Sequence, residues 1–560
     1  MQQHSGAQII CEFLERRGVR HIAGMPGGAN LPLYDALWSS RLQHVLVRHE
    51  QAAGFIAQGS ARVSGRAAVC FATSGPGATN LLTPLADARL DSVPVVAITG
   101  QVPTALLGTD AFQEVDTVSI FRPVVKHAVQ VRDVNELWST LEQAFEIAES
   151  GRPGPVLVDV PKDVQLARAT LDPPAPRARA PRARPETSQL ERALRMLQEA
   201  ERPVLYIGGG VIQAGAEAQV RELALRQQLP VVCSLMGLGA FEPGHPQFCG
   251  MLGMHGAPYT NLLLRECDLL LSIGVRFDDR ATGKLSEFCP QARTVHVDID
   301  AREIGKLRRV ELGIVSDAAA FLDAILPLTA AAQRGAWLAR VAELRERHPL
   351  PEPRAEGDTL RPLELIRALG ARLDSQTVVT TDVGQHQMWV AQRLPIRRAR
   401  GLLTSGGLGS MGFGLPAAIG AALETRGRVL CISGDGSLLI NIHELATLAE
   451  LALDVTIVLL DNAHLGLVRQ QQTLFYGQRL SACRFERPTD FVTVARGFGI
   501  AAESWLPRAS GLRALDALLA QSGPRLIHVP LTAAEMVLPM VPPGAANHEM
   551  FGASELAIPG

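Results

Sequence analysis

The sequence predicts an α/β protein of three domains, each built on a doubly wound parallel sheet. Short apolar runs alternate with helical patterns along the whole chain, for example AAVCFA, VLYIGGG and RVLCISGDG. Runs that are apolar throughout are typical of parallel strands that helices cover on both faces. Two proline-bearing breaks, 172–187 and 348–358, predict linkers, so we expect domains at 1–171, 188–347 and 359–560.

The strand-like runs of each predicted domain end in polar residues. The first domain has VLVRH, AAVCFA, VPVVAITG and GPVLVDVP, the second has VLYIGGG, LLLSIGV and TVHVDID, and the third has TVVTTDVG, RVLCISGDG, VTIVLLDN and RLIHVPL. In open α/β sheets, ligands bind beyond the carboxyl ends of the strands. The residues that directly follow these runs are therefore the candidates for function.

Composition argues against several classes of protein. The 560 residues include 54 Lys and Arg against 56 Asp and Glu, and this near-neutral balance argues against nucleic-acid binding. The longest uncharged runs, 92–109 and 401–423, contain prolines or glycines and predict loops entering buried elements rather than membrane spans. An amphipathic helix pattern begins near Ile9 with no signal-peptide pattern before it, and the eight cysteines form no C-x-x-C pair. We expect a cytoplasmic protein whose cysteines are apolar core residues.

The segment 428–462 predicts a site for a metal and a diphosphate. Strand VLCIS ends in Gly434-Asp435-Gly436-Ser437, and strand VTIVLL ends just before Asn462. If the segment is one βαβ crossover, Asp435 and Asn462 emerge at the same edge of the sheet. Their oxygens suit Mg²⁺, which phosphates often share, while the glycines and a helix start near Ser437 suit an anion. For GDG alone, a tight surface turn is the alternative.

This arrangement resembles the thiamine diphosphate-binding motif, in which GDG is followed by Asn-Asn, although Asp461 replaces the first Asn here. The resemblance implies that Asp435, the side chain of Asn462 and the backbone oxygen of His464 hold Mg²⁺. It also implies a cradle for the diphosphate, for which the alternative is an ordinary polar loop before a helix. The further residues of this cradle are Val383, Gly384, Gln385, His386 and Gly466.

In the thiamine diphosphate superfamily a glutamate from the other subunit of a dimer hydrogen-bonds the aminopyrimidine and helps to form the nucleophilic ylid. The resemblance points to Glu50 in RHEQ, and an exposed helix cap is the alternative. By the same resemblance the carbonyl of Gly409 and the side chain of Met411 grip the aminopyrimidine. Further expected contacts of the cofactor are Pro26, Thr73, Gly77 and Asn80. The resemblance therefore implies a homodimer or a dimer of dimers.

Over nearly its whole length the chain resembles the catalytic large subunits of acetolactate synthase. The shared motifs are RHEQAA, ATSGPGATN, GTDAFQE, GRPGPVLVDVPKD, GMLGMHG, GVRFDDR, TTDVGQHQMW, GDGS and VPPGA. The resemblance implies that pyruvate is decarboxylated and that the hydroxyethyl carbanion adds to a second 2-keto acid, in branched-chain amino acid biosynthesis. A small regulatory subunit is a possible partner. The alternatives are a flavin-dependent enzyme like pyruvate oxidase and a catalytically silent paralogue.

Family matching places a further group of residues near the reacting atoms, and no adjacent His-His pair of the pyruvate decarboxylase kind stands near the N-terminus. Together with Glu50, the expected catalytic residues are Gly28, Gln113 and Lys162. The expected substrate contacts are Phe112, Arg276, Val468 and Gln471. For Lys162 a surface loop position is the alternative.

Two of these substrate residues bear on the acceptor. A planar guanidinium can hold a carboxylate with two hydrogen bonds, as expected of Arg276, and a salt bridge to Asp278 or Asp279 is the alternative. Gln471 stands where many members of the family have tryptophan. Loss of that apolar wall predicts a weak preference for 2-ketobutyrate, or even a preference for pyruvate, since one methylene contributes about 1–3 kcal/mol to discrimination.

The second domain has GGG after VLYI and acidic residues after TVHV, which is not the G-x-G-x-x-G pattern of a nicotinamide site. Glycines for close packing are the alternative reading. The resemblance implies FAD in a non-redox role, although Ala257 and Pro258 replace the usual Thr-Lys. The matching residues are Gly208, Gly209, Gly253, Met254, His255, Gly274, Arg280, Asp298 and Asp317.

Overall fold

A computed structural model of the chain describes residues 3–171, 181–351 and 361–552. These residues form three six-stranded sheets, in which every pair of neighbouring strands is parallel, and one two-stranded antiparallel sheet. Helices cover the sheets, so the predicted α/β class with three parallel sheets is confirmed.

The first sheet has the strand order β3-β2-β4-β5-β7-β6, and β1 pairs with β8 beside it. Its strands are β1 Gln3–Ser5, β2 His21–Gly24, β3 Gln43–Leu46, β4 Ala68–Ala72, β5 Val95–Gln101, β6 His127–Gln130, β7 Val156–Pro161 and β8 Arg168–Thr170. Its helices are α1 Gly6–Arg17, α2 Leu31–Trp38, α3 Glu50–Ser64, α4 Pro76–Thr79, α5 Leu82–Leu90, α6 Thr117–Phe121, α7 Leu137–Glu149 and α8 Lys162–Leu166.

The second sheet has the order β11-β10-β9-β12-β13-β14. Its strands are β9 Pro203–Ile207, β10 Val231–Cys233, β11 Phe248–Met251, β12 Leu269–Ile273, β13 Arg293–Asp298 and β14 Leu312–Val315. Its helices are α9 Thr187–Glu199, α10 Gly209–Ala214, α11 Glu217–Gln227, α12 Pro258–Glu266, α13 Asp279–Thr282, α14 Ala318–Ile325 and α15 Gly335–Arg347. The strand order reverses between β9 and β12, which is where such sheets bind ligands.

The third sheet, β16-β15-β17-β18-β20-β19, repeats the strand order of the first. Its strands are β15 Val378–Thr381, β16 Leu402–Leu403, β17 Val429–Gly434, β18 Val455–Asp461, β19 Ala501–Ser504 and β20 Arg525–Pro530. Its helices are α16 Pro362–Arg372, α17 Gln385–Arg393, α18 Gly414–Thr425, α19 Asp435–Ile440, α20 Glu444–Leu451, α21 Gly466–Phe475, α22 Phe491–Gly497 and α23 Pro507–Ala520. The reversal here lies between β15 and β17.

Helices α3 and α18 join the first and third sheets through a close contact. A Cβ atom on Gly59 would overlap the backbone of Ala417, and one on Gly420 would overlap the backbone of Ile56. Because glycine permits this approach, the two helices share one apolar core. Glu50, the first residue of α3, is thereby held at a fixed place relative to the third sheet.

The proline-bearing breaks lie partly beyond the described residues. Residues 181–186 are irregular before α9, and 348–351 are irregular after α15, while 172–180 and 352–360 lie outside the described residues. The domain boundaries therefore stay predictions. No helix within the described ranges has the length and apolarity needed to cross a bilayer. All eight cysteines are buried and unpaired, as predicted.

Candidate active site

The carboxyl edge of the third sheet brings together the loops that the motifs predicted. Strands β17 and β18 are parallel neighbours, with Gly434 opposite Leu460, so Asp435 and Asn462 follow adjacent strand ends. The connection contains two helices, α19 and α20, rather than the one helix of a simple βαβ crossover. The helix breaks at Asn441, whose side-chain amide donates to the carbonyl of Gly412 at 2.7 Å.

Asp435 is buried with unused hydrogen-bonding capacity. It is 4% exposed, and its Oδ2 has no hydrogen-bond partner among the described residues. Burial, followed by the charge of Asp461, raises the pKa of Asp435 to about 7. Burial is the largest single influence on Asp461 and opposes its ionisation. The hydrogen bonds from His528 at 2.9 Å and from the backbone N–H of Ala463 at 3.0 Å, with that of Asp435, together outweigh burial and lower the pKa of this carboxyl. Asp461, which stands in place of the family's Asn, is thus hydrogen-bonded to His528 beside Asp435.

Three loops are bonded to one another around Asp435. The hydroxyl of Ser437 donates to the carbonyl of Val383 at 2.6 Å, and the amide of Asn462 donates to Oε1 of Gln385 at 3.2 Å. His464 donates its backbone N–H to Oδ1 of Asn462 at 3.1 Å. These loops follow β15, β17 and β18, so they surround the point where the strand order reverses.

His386 and the glycines form a tight corner beside these loops. A Cβ on Gly384 would lie 2.7 Å from the His386 ring, and one on Gly434 would lie 2.9 Å from it. Burial lowers the pKa of His386 to about 3, so the imidazole is neutral, and its Nε2 has no hydrogen-bond partner within the described chain. A Cβ on Gly436 would lie 2.8 Å from Leu465. The corner therefore contains one unpartnered polar nitrogen, and it leaves little room for a side chain at the position of either glycine beside the ring.

The loop that carries Gly409 and Met411 is held by residues that the sequence analysis did not single out. Asp382 accepts from the N–H of Gly412 at 2.8 Å, and Asn441 donates to the carbonyl of the same residue. Asp382 is fully buried, and this burial raises its pKa to about 6. No local sequence pattern connects these positions, because they come together only when the chain is folded.

Glu50 lies at the start of α3 and is 7% exposed, so the alternative of an exposed helix cap is wrong. Its Oε2 accepts from the amide of Asn80 at 2.9 Å, and a Cβ on Gly77 would lie 3.2 Å from its Oε1. Glu444 of α20 accepts from the N–H groups of Arg48 and His49 at 2.8 and 3.2 Å. A residue of α20, a helix of the third sheet, therefore fixes the turn that precedes Glu50.

Several of the remaining candidates of the first sheet form an open rim, whereas Thr73 is buried. Gly28 is exposed, and a Cβ added to it would meet nothing within 4 Å. Phe112 is 88% exposed, and Gln113 has a φ of 60°. Pro26 is exposed and Lys162 is the first residue of α8. Among the described residues, no hydrogen bond or ion pair connects this rim to Asp435 or Asn462.

A cavity of about 1500 Å³ lies among the three sheets and reaches the reversal point of the second sheet. The predicted flavin contacts that line it are Gly209, Met254, His255, Gly274, Arg280, Asp298 and Asp317. Gly208 and Gly253 are not among the described lining residues, but Gly208 packs against Gly274 and Gly253 packs against Ala281, so they shape its wall. Burial lowers the pKa of His255 to about 4.

Two acceptor candidates and the Gly409 loop line the same cavity. Arg276 is half-buried and makes no ion pair with any residue that the structure describes, so the predicted alternative of a salt bridge is wrong. Asp278 instead caps α13, and Asp279 lies near Arg280. Gln471 is exposed on α21, and Val468 on the same helix is 44% exposed. The guanidinium of Arg276 is thus available to an anion in the cavity.

Two further residues at the cavity and the site were missed. Arg152 lines the cavity and is ion-paired with Glu303 at 2.7 Å, although it occurs in the quoted GRPGP motif. Gln470 is buried, accepts from Gln385 at 3.1 Å and donates to the carbonyl of Val537 at 3.0 Å. No sequence signal distinguishes Gln470 from its neighbours Gln471 and Gln472.

Comparisons with known proteins agree with this geometry. Three models of thiamine pyrophosphate enzymes match: the N-terminal TPP binding domain at residues 4–120, the central domain at 190–325 and the C-terminal TPP binding domain at 382–529. The acetolactate synthase isozyme 1 large subunit of Escherichia coli (strain K12) is 51% identical over 98% of both chains. The isozyme 2 large subunit is 46% identical over 98% of this chain and 99% of the relative. A probable acetolactate synthase large subunit of Methanocaldococcus jannaschii is 44% identical over 96% of this chain and 94% of the relative.

Proposed function

The chain belongs to the acetolactate synthase large subunits of the thiamine pyrophosphate enzyme family, and we propose that its third sheet binds thiamine diphosphate together with Mg²⁺. The reaction joins two 2-keto acids with loss of CO₂. Two molecules of pyruvate give 2-acetolactate, and pyruvate with 2-ketobutyrate gives 2-aceto-2-hydroxybutyrate. The observation that carries the cofactor assignment is the convergence of three mutually bonded loops on the unpartnered carboxylate oxygen of Asp435.

The residues at this edge fit a divalent cation shared with a diphosphate. Mg²⁺ demands octahedral geometry and is usually bound through one or two carboxylates and the phosphates of a ligand, so oxygens of a bound diphosphate would complete the coordination. Asp435, Asn462 and the carbonyl of His464 would supply the protein ligands. Neutral His386 has an unpartnered Nε2, which in the Nε2–H tautomer would donate a hydrogen bond to a diphosphate oxygen. When bound, thiamine diphosphate supplies the carbon nucleophile and the electron sink.

Glu50 is proposed to hold the proton that activates the cofactor. Its burial favours a hydrogen bond to the aminopyrimidine, and Asn80 orients its second oxygen. We propose that the partner chain of a homodimer supplies this residue, because the rim formed by Gly28 and Phe112 is left open within one chain. Gln113 and Lys162 are proposed to contact the substrate from that rim.

Arg276 is proposed to bind the acceptor carboxylate, since it lines the cavity beside the 405–411 loop, makes no ion pair among the described residues, and carries a guanidinium that matches a carboxylate. Gln471 offers an amide where an aromatic wall would contact the extra methyl group of 2-ketobutyrate. We therefore propose that acceptor discrimination is weak or favours pyruvate. A strong bias toward 2-aceto-2-hydroxybutyrate in a mixture of both acceptors would contradict this.

FAD in a non-redox role is proposed for the cavity of the second sheet. Its volume of about 1500 Å³ exceeds the roughly 300–1000 Å³ of common small-ligand pockets, which suits a dinucleotide. Glycines at the reversal point permit close approach, and Arg280 provides a cation. Ala257 begins the turn before α12, where the usual Thr-Lys is lost, so the flavin would lack those two side chains. The flavin absorbance of the purified protein tests this assignment.

We also propose a cytoplasmic homodimer, or a dimer of dimers, that works with a smaller regulatory chain, as the term large subunit in the names of the relatives suggests. The decisive assay supplies pyruvate, thiamine diphosphate, Mg²⁺ and FAD and measures acetolactate, acetaldehyde and oxygen. Acetolactate as the main product is expected. Oxygen consumption would indicate a pyruvate oxidase, mainly acetaldehyde a decarboxylase, and no turnover a silent paralogue.

A further inference from the structure

A buried ion cluster from the first sheet contacts none of the predicted catalytic residues. Arg62 of α3 donates to Oδ2 of Asp91, the residue directly after α5, at 2.8 Å and lies 3.5 Å from Asp87. These three side chains are 6%, 8% and 0% exposed. Two carboxylates thus share one guanidinium, and buried charges are stable only when further hydrogen bonds satisfy them.

Those further hydrogen bonds come from a loop of the third sheet, residues 405–411. Asp91 accepts from the N–H of Gly406 at 3.0 Å and from that of Gly407 at 2.7 Å. Asp87 accepts from the hydroxyl of Ser410 at 3.1 Å and from the hydroxyl of Ser405. The loop is therefore held near both of its ends by carboxylates from another part of the chain.

The loop fits tightly against this cluster. A Cβ on Gly407 would lie 2.8 Å from Cβ of Leu90 and 2.9 Å from Oδ1 of Asp91. The same Cβ would lie 3.3 Å from Nη2 of Arg276. On its open side the loop lines the large cavity through Gly409. One loop consequently connects the buried carboxylates, the proposed acceptor cation and the proposed aminopyrimidine contacts.

We propose that Asp91, supported by Asp87 and Arg62, is a positioning residue that sets the 405–411 loop for binding of the aminopyrimidine. This inference rests on the proposed function, because Gly409 and Met411 are assigned to the aminopyrimidine there. The first sheet then has two roles: it supplies Glu50, and within the same chain it supports the loop of the third sheet.

Asp91→Asn is the sharpest test, because it preserves size while turning one carboxylate oxygen into a donor. Whichever way the amide turns, a buried N–H group of the loop or of Arg62 loses its acceptor. The substitution also leaves Arg62 paired with Asp87 alone, so the cluster loses its excess negative charge. We expect the fold to persist while the loop is displaced.

Asp159→Asn provides a matched control. Asp159 is a 0% exposed carboxylate of the first sheet that accepts from Thr99, Gln101 and Gln130 and has no hydrogen bond to the loop. Both variants remove one buried charge from the same sheet. Only Asp91→Asn should weaken the binding of thiamine diphosphate.

The experiment is calorimetric titration of the full-length protein, with Mg²⁺ present, by thiamine diphosphate, together with thermal unfolding of each variant. The dissociation constant should rise about tenfold or more in Asp91→Asn and less than about twofold in Asp159→Asn. Should Asp91→Asn fail to fold, Ser405→Ala, which leaves the ion pair intact, should still raise the constant by about threefold.

The outcomes separate the two hypotheses. If the unaltered protein does not bind thiamine diphosphate, the proposed function is wrong. If it binds and Asp91→Asn binds equally well, or if Asp91→Asn and Asp159→Asn weaken binding to the same extent, the positioning role is wrong. If Asp91→Asn does not fold and Ser405→Ala is used instead, an unchanged affinity of Ser405→Ala for thiamine diphosphate overturns the positioning role.

Discussion

The first and third sheets have the same strand order, but the loops at their carboxyl ends differ. Within one chain, the loops of the third sheet are bonded to one another, whereas the rim of the first sheet stays open. At the third sheet, Ser437 is bonded to Val383 and Asn462 to Gln385 around the buried Asp435. At the first sheet, Gly28 faces open space and Phe112 is 88% exposed, although Glu50 nearby is buried. One topology thus supports an anion-binding half that is closed within the chain and an acid-bearing half whose rim is open.

The largest effect is expected at the acid-bearing half. Glu50→Gln keeps the hydrogen bond from Asn80 possible, but an amide cannot hold or exchange the proton that activates the cofactor, so acetolactate formation should fall by about 10²–10⁴-fold. Steady-state rates measure this loss, and calorimetry should show thiamine diphosphate binding within a few-fold of normal. Glu12→Gln, at an exposed ion pair with Arg16, is the control and should leave the rate unchanged. A Glu50→Gln enzyme of normal rate would remove Glu50 from the mechanism.

The closed half should respond in affinity rather than in rate alone. Asp435→Asn removes the carboxylate charge from the proposed metal site, and Mg²⁺-dependent binding of thiamine diphosphate should weaken by more than about a hundredfold. Loss of a mere outer-shell partner already costs about 10–100-fold at metal sites. Asp374→Asn is the control, because Asp374 caps the turn before β15, away from the carboxyl edge. Tight binding that survives Asp435→Asn would place the metal elsewhere.

Mixing these two variants tests directly whether the halves belong to different chains. A dimer of one Glu50→Gln chain and one Asp435→Asn chain would contain one site with both changes and one with neither. Random exchange should therefore restore about a quarter of the normal activity. Coexpression with two affinity tags isolates the mixed dimer. If each chain builds its own complete site, no activity returns.

The two halves also differed in how much the sequence predicted. Asp435 and Asn462 follow two long apolar runs on one short crossover, so parallel pairing alone predicted their meeting. The short strands β2 and β6 (HIAG and HAVQ) were not recognised, because four residues carry too little apolar periodicity. The helix break at Asn441 was missed as well, since it depends on the distant carbonyl of Gly412.

The contacts between the first and third sheets could not be predicted from the sequence either, because they join residues that are far apart in the chain. Asp91 and Gly407 are separated by 316 positions, and their hydrogen bond leaves no spacing that a pattern could reveal. Similarly, Glu444 of α20 accepts from the N–H of Arg48 in the turn before Glu50 across 396 positions of the chain. The family resemblance identified the residues that are expected to contact the cofactor, whereas only the packing shows what holds those residues in place.

The smallest expected effect concerns the acceptor, next to the closed half. Gln471 is exposed on α21 and lines the cavity, so a tryptophan there has room to form an apolar wall. In Gln471→Trp the ratio of 2-aceto-2-hydroxybutyrate to acetolactate, measured with both acceptors in one reaction, should rise by about tenfold, the low end of what one methylene contributes. Gln471→Leu, which is apolar but small, should give a smaller gain. An unchanged ratio in Gln471→Trp would mean that the acceptor methyl does not reach α21, and Arg276 would then have to orient the acceptor toward another wall of the cavity.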